Sequence, residues 1–253
     1  MAPLYLTPPS SEPIRALIRS GHLGMITSPA QGNRIEPAYR HVLVDNGAFT
    51  SAYVGDLRYL AYLDRLQQHH GDQILAATAP DVVGDHAATW ARSTPMLQRI
   101  RALGMKAAFV AQDGMEWEHS AWIWDEFDVL FVGGTTRWKI SAVAAQIARA
   151  AHDHGKWVHV GRVNSQRRTV HCAQAMWADS VDGTYLTRAP DLNLRHLQAW
   201  TRFVDTQDSL LDVPDLLLDD DGPTWHHLRQ RLPAPTTAPR PAQTEATLPL
   251  DDL

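Results

Sequence analysis

The strongest constraint in this chain is a rhythm. Between residues 20 and 205, short β-branched or apolar runs alternate with stretches of helical spacing. The runs fall at 23–27, 42–44, 74–78, 107–110, 129–132, 157–160 and 180–184, and the helical stretches at 57–70, 87–103, 141–154, 166–177 and 192–204. Within 141–154, Val143, Ala144, Ile147, Ala148 and Ala151 share one face, as a 3.6-residue period requires. Gly104 and Gly155 stand where helices end, each just ahead of an apolar run. Strands that are apolar throughout are buried on both faces, and their alternation with helices means a parallel sheet covered by helices. About seven such strands in under roughly 200 residues point to a (β/α)8 TIM-type barrel, with a doubly wound open sheet as the alternative. No GxGxxG turn follows any run, which counts against a dinucleotide-binding open sheet.

The rhythm sets the boundaries. Residues 1–22 read as a lead-in, 23–206 as the barrel domain, 207–231 as an acidic extension with a short helix, and 232–253 as a disordered tail. The segment from Asp205 to Asp221 is rich in Asp and contains no Lys or Arg. The closing stretch, rich in Pro, Ala and Thr, cannot bury enough surface to offset chain entropy. Its last residues have the look of a generic tail, with a docking peptide as the minor alternative.

Composition narrows the function classes. One cysteine, Cys172, excludes an intramolecular disulfide and a zinc site built mainly of thiolates. No apolar run approaches the roughly 20 residues that span a bilayer. The first residues lack the basic and apolar regions of a secretory signal, so a cytoplasmic protein is expected. A net charge of −5 argues against a histone-like binder but leaves room for a local basic groove.

In barrels and open α/β sheets, chemistry gathers at the C-terminal ends of the strands. Those ends carry Asp45-Asn46-Gly47-Ala48-Phe49, then Asp81 and Asp85, then Gln112 and Asp113, then Gly133-Gly134, Gly161-Arg162, and finally Asp182 and Arg188. Singly, each has an ordinary explanation. Asn-Gly and Asp-Gly suit turns, Asp85 suits a helix N-cap, and paired glycines let backbone approach closely. Together they place acids around one mouth, and carboxylates repel unless a ligand or metal uses them. Two acids roughly 5 Å apart can run a double displacement at a sugar carbon. A third acid and an amide can read a nucleobase edge: Asp accepts from ring N–H and exocyclic NH2, while Gln or a backbone N–H donates to a carbonyl. Guanine offers that pattern, and Phe49 offers a stacking face.

These segments resemble a known family. "DNGAF" is similar to the DSGGF element of tRNA-guanine transglycosylases, and "VDGTYLTR" to their FDCVLPTR segment, whose first Asp is the covalent nucleophile. "APDVVGD", "VAQDG" and "FVGG" follow in the order of that family's base-recognition strands. The match runs from about Leu23 to Arg188. The resemblance implies a (β/α)8 barrel that exchanges guanine for a 7-deazaguanine, such as 7-cyano-7-deazaguanine, within a nucleic acid. By position, Asp182 would attack C1′ and Asp45 would serve as general acid/base. Asp81 would bind the guanine-like edge, with Gln112 and the Gly133-Gly134 backbone near the base carbonyl. Asn46, Phe49 and Gly161 would complete the base pocket.

Two departures shift the expected substrate. Family members that act on tRNA carry three cysteines and a histidine after the nucleophile as a zinc subdomain; here no cysteine follows Asp182. Asn46 and Ala48 replace the second and fourth residues of the DSGGF element. Both changes look like the compact, phage-type branch that modifies DNA, and DNA is preferred over RNA as substrate. The resemblance calls for no cofactor or resident metal; the expected partners are the nucleic acid and a free 7-deazaguanine base, with an accessory protein left open. A base inside a duplex must be flipped out to be reached. Cations should therefore flank the pocket, and Arg137, Lys139, Arg162, Arg167, Arg168 and Arg188 all follow strands on that side.

Other residues carry ordinary expectations. The thirteen histidines show no HExxH or paired-ligand spacing; His41 and His159 read as packing residues and His196 as a helix-face residue. Cys172 reads as a buried small residue, and Trp90 and Trp200 as helix-packing groups. A metal-dependent barrel hydrolase built on Asp45, Asp81 and histidines, and a non-catalytic binding protein, are the competing classes.

Overall fold

The computed structural model describes residues 1–115 and 121–206. The extension at 207–231 and the tail at 232–253, with its docking segment, lie outside the described residues. The elements run β1 (Leu4–Thr7), α1 (Glu12–Arg19), β2 (Gly24–Thr27), β3 (Val42–Val44), α2 (Asp56–His70), β4 (Ile74–Thr78), α3 (His86–Ala102) and β5 (Ala107–Ala111). There follow β6 (Val129–Val132), α4 (Thr136–Lys139), α5 (Ala142–Asp153), β7 (Trp157–Val160), α6 (Gln166–Gln174), β8 (Ser180–Asp182) and α7 (Pro190–Thr206). All eight strands pair in parallel with their sequence neighbours, and β1 closes on β8 through Leu4 with Ser180 and Leu6 with Asp182. This is the (β/α)8 barrel that the rhythm implies.

The expected lead-in is corrected. Residues 4–7 form the first strand, and α1 follows with Ile14 and Ile18 buried one turn apart. A four-residue strand followed closely by Pro8 and Pro9 is too short to register as a periodic run. Without it the barrel would lack its closing strand.

Side chains alternate across each strand, so the barrel has an inner and an outer set. Leu6, Leu43, Ala76, Ala108, Val110, Val129 and Phe131 fill the interior. The outer set, including Val42, Val44, Phe109, Leu130, Val132, Val158 and Val181, packs under the helices. Phe109 anchors that layer, with its ring 5.2 Å from Trp90 and 5.5 Å from Phe127. Truncating so buried a ring to Ala costs ~3–5 kcal/mol.

Helix ends follow local chemistry. Asp85 caps α3 by accepting from the Ala88 N–H at 2.9 Å, and Ser141 caps α5 through the Ala144 N–H. Gly104 and Gly155 lie just past helix ends at φ +81° and +68°, a conformation that costs glycine little. Acids at the opposite end of the barrel are structural. Asp128 accepts from the Ala107 N–H and pairs with Arg101; Asp179 accepts from the Val158 N–H. Each supplies an acceptor at the start of a neighbouring strand, where the sheet ladder begins. Among the described residues, no helix is long and apolar enough to cross a membrane.

Candidate functional site

The inner alternation predicts what crowns the barrel. Two residues beyond inward Leu43 comes Asp45; beyond Val110, Gln112; beyond Phe131, Gly133; beyond His159, Gly161; beyond Ser180, Asp182. These five top the strands, and Asp81 joins them from the loop after β4. All six line one cavity of about 350 Å³ at the C-terminal mouth, together with Phe49, Gly134, Arg162, Asn164 and Gly183. The sequence-expected acids thus converge.

Asp45 is aimed by a turn that Thr78 holds. The Thr78 hydroxyl donates to the Val44 carbonyl at 3.2 Å and accepts from the Asn46 N–H at 2.8 Å, gripping the chain on either side of Asp45. Burial, reinforced by the charges of Asp182 and Asp81, pushes the Asp45 carboxyl up from its usual value near 3.8 to about 7. A group that is half protonated at neutral pH can both give and take a proton, as general acid/base work requires.

Asp81 is held differently. Its Oδ1 accepts from Asn46 Nδ2 at 3.0 Å and its Oδ2 from Gln112 Nε2 at 2.7 Å. Both amides have fixed orientations. Gln112 Oε1 accepts from the Gly84 and Gly134 N–H groups, and Asn46 Oδ1 from the Ala48 N–H, so each NH2 end must face Asp81. Burial raises the Asp81 carboxyl and these two donors oppose the rise. Its own backbone N–H is a third donor, and the carboxylate still borders the cavity.

Two base-pocket expectations are corrected here. Asn46 does not line the cavity; it lies 1% exposed behind Asp81 and orients it. The Gly133 and Gly134 N–H groups are already engaged, with Ala111 O and Gln112 Oε1, so they are not free donors for a base carbonyl. Both glycines instead keep the wall bare. A Cβ at Gly133 would lie 2.7 Å from Val110 Cγ1; at Gly134, which sits at φ +67°, it would lie 2.6 Å from the Trp138 ring.

Asp182 is gripped from two sides. Its Oδ1 accepts from the Arg162 N–H at 3.1 Å and its Oδ2 meets His159 Nε2 at 2.9 Å. The Arg162 backbone takes φ +61° in the turn that delivers that N–H, an uncommon conformation for a residue with a side chain. Gly161 is bare beside it: a Cβ there would strike Phe131 at 2.7 Å and sit 3.4 Å from Asp182 Oδ2.

The expected cation set divides. Lys139 is corrected outright: it is 1% exposed, and its Nζ donates to the Gly161 carbonyl beneath the site. Burial, aided by Arg162, brings its pKa down to about 8. Arg162 lines the cavity, with its guanidinium 4.1 Å above the Phe49 ring and a hydrogen bond to Gly134 O. Phe49 stands on the rim, 54% exposed. Arg168 is half-buried and donates to Arg162 O at 3.4 Å, while Arg137, Arg167 and Arg188 are exposed in the loops and helix starts after β6, β7 and β8.

His159 is the residue that sequence reading missed. It is fully buried, faces inward, and reaches Asp182 rather than merely packing. A lone histidine inside the apolar run "WVHV", two residues before an inward glycine, was the available signal. His196 lies on α7 with Nδ1 2.9 Å from Tyr185 Oη, away from the cavity. Cys172 is buried, and burial holds its thiol up at about 12, so it is inert as a nucleophile. Trp90 and Trp200 pack against Phe109 and Tyr185.

No family model and no curated protein matches this chain. Among solved structures, a chain of the Amycolatopsis orientalis BexX/CysO complex is 15% identical with a TM-score of 0.50, over 84% of this chain and 94% of that one. QR15, an aldolase, is 13% identical with a TM-score of 0.46, over 78% and 96%. A chain of the tryptophan synthase complex from Pyrococcus furiosus is 12% identical with a TM-score of 0.40, over 80% and 94%. At such identities the likeness is one of fold, and barrels of this fold host unrelated chemistries.

Proposed function

We propose that this chain is a base-exchange transglycosylase that replaces guanine with a 7-deazaguanine in DNA. The observation that carries the reading is the meeting of Asp45, Asp81 and Asp182 in one cavity, each in a different setting. Asp182, oriented by two donors, attacks C1′ as the C1′–N9 bond breaks. Asp45 hands its proton to the departing guanine. Asp81, at the cavity wall, accepts from the N1–H and 2-amino group of the base. The incoming 7-deazaguanine then gives its N9 proton to Asp45 and attacks C1′, releasing Asp182. Two displacements retain the configuration at C1′.

The nucleotide enters flipped. Phe49 and Arg162 flank the mouth, and Arg137, Arg167 and Arg188 are the exposed cations for backbone phosphates. DNA is favoured over tRNA because Asn46 and Ala48 stand where the DSGGF element of the tRNA-acting enzymes has its second and fourth residues. Among the described residues no three His, Cys, Asp or Glu side chains group as metal ligands, so no observation favours the hydrolase reading. The test is incorporation of a labelled 7-deazaguanine into guanine-containing DNA and, separately, tRNA. Label in DNA supports the reading; label in tRNA alone moves the substrate to RNA; label in neither, with folded protein, overturns it.

A further inference from the structure

Behind Asp182 runs a chain of polar groups, from half-buried Trp157 to buried Ser180 and His159, that the base-exchange chemistry does not itself require. Trp157 Nε1 donates to Ser180 Oγ at 2.7 Å, Ser180 Oγ lies 2.8 Å from His159 Nδ1, and His159 Nε2 lies 2.9 Å from Asp182 Oδ2. Ser180 and His159 are fully buried, and neighbouring strands hold them in direct register. The direction of this chain follows from what each group can do. Indole N–H can only donate, so Ser180 must accept from Trp157. The single Ser180 proton then has one buried acceptor within reach, His159 Nδ1. An accepting Nδ1 leaves the imidazole proton on Nε2, facing the carboxylate. An imidazolium would put a proton on Nδ1 as well and leave the Ser180 proton without an acceptor in the core. The Phe131 ring packs against the imidazole with centroids 4.5 Å apart.

We propose that His159 is a positioning residue for Asp182: a neutral imidazole, locked as the Nε2–H tautomer by Ser180 and Trp157, that orients the carboxylate for attack. The inference rests on the assignment of Asp182 as nucleophile. A neutral donor fixes Oδ2 without lending Asp182 a full counter-charge, which would blunt it as a nucleophile. Together with the Arg162 N–H on Oδ1, it leaves one lone pair on each oxygen to face the cavity.

The first test needs no turnover. Long-range proton–nitrogen NMR of nitrogen-15-labelled protein reads imidazole tautomers directly, and comparison with His159→Gln identifies the His159 signal. The expected result is the Nε2–H tautomer, with Nδ1 as the acceptor from Ser180. An Nδ1–H tautomer or an imidazolium at pH 7 overturns the proposal. The second test separates positioning from packing. Gln can place an N–H near the Nε2 position, whereas Leu fills the same apolar interior without a donor. His159→Gln should keep kcat within roughly ten-fold, and His159→Leu should lose on the order of 10²-fold in kcat with KM little changed. Equal activity of the two variants, or a more active Leu variant, overturns the positioning role. An inactive wild type would sink the base-exchange reading alone, since the tautomer is measured without it.

Discussion

Replacing Asp45 by Asn should make the protein more stable above pH 7, although it removes a group proposed to be essential. The folded state holds the Asp45 carboxyl at about 7, against 3.8 for the ordinary group. Below pH 4 both states bind the proton and the site is neutral to stability. Between pH 4 and 7 the unfolded chain releases the proton and the folded chain keeps it, so stability falls as pH rises. Above pH 7 the full cost applies. A carboxyl raised that far costs ~4 kcal/mol at most, and relaxation of the site reduces this to on the order of 2–4 kcal/mol. Asn is close to the same shape, keeps an acceptor oxygen and carries no charge. Urea unfolding at pH 3, 5.5, 7 and 8 should give the smallest difference at pH 3 and a variant more stable by that amount at pH 8. A variant equal to or weaker than wild type at pH 8, with unchanged urea dependence, would refute the electrostatic account of the site. The direction follows from a functional site that buries a carboxyl beside two others at the expense of the fold.

Other outcomes follow from the same geometry. Base exchange should decline on the alkaline side with a midpoint near pH 7, as Asp45 loses the proton it gives to the leaving base; a rate flat from pH 6 to 9 contradicts that role. Gln112→Glu would set two carboxylates 2.7 Å apart, so melting curves should show it close to wild type at pH 5 and destabilised by ~2–3 kcal/mol at pH 8. Gly134→Ala, strained at φ +67° and clashing with Trp138, should cost ~1–3 kcal/mol in urea. Replacing Arg137, Arg167 and Arg188 together by Ala should lower the slope of log affinity for DNA against log salt by about 3, measured by fluorescence anisotropy.

The barrel was legible because its strands are buried on both faces and stand out as unbroken apolar runs between amphipathic helices. The exception, β1, is four residues long and followed by prolines, and only closure against β8 gives it a reason to be a strand. Asp45 and Asp182 were legible because each stands two residues past an inward side chain, a position fixed by the pleat, and Asp81 because it follows the β4 run in the next loop. What surrounds them was not. That Lys139 turns inward to Gly161 O, and that Asn46 backs Asp81, depend on contacts between elements more than 20 residues apart. His159 was hidden for the same reason. Its partners Ser180 and Asp182 lie on the next strand, and register across a parallel pair is a tertiary property.

The central claim is that Asp182 forms a bond to the sugar inside a cavity it shares with Asp45 and Asp81. It is tested most directly by mixing the purified protein with a guanine-containing DNA oligonucleotide, with no second base supplied, then denaturing and mapping the product by peptide mass. The account predicts a protein–DNA adduct with guanine lost, carried by the peptide containing Asp182, absent from Asp182→Ala and dispersed by added 7-deazaguanine. An adduct on Asp45 or Asp81, or exchange activity without any adduct on Asp182, would contradict it.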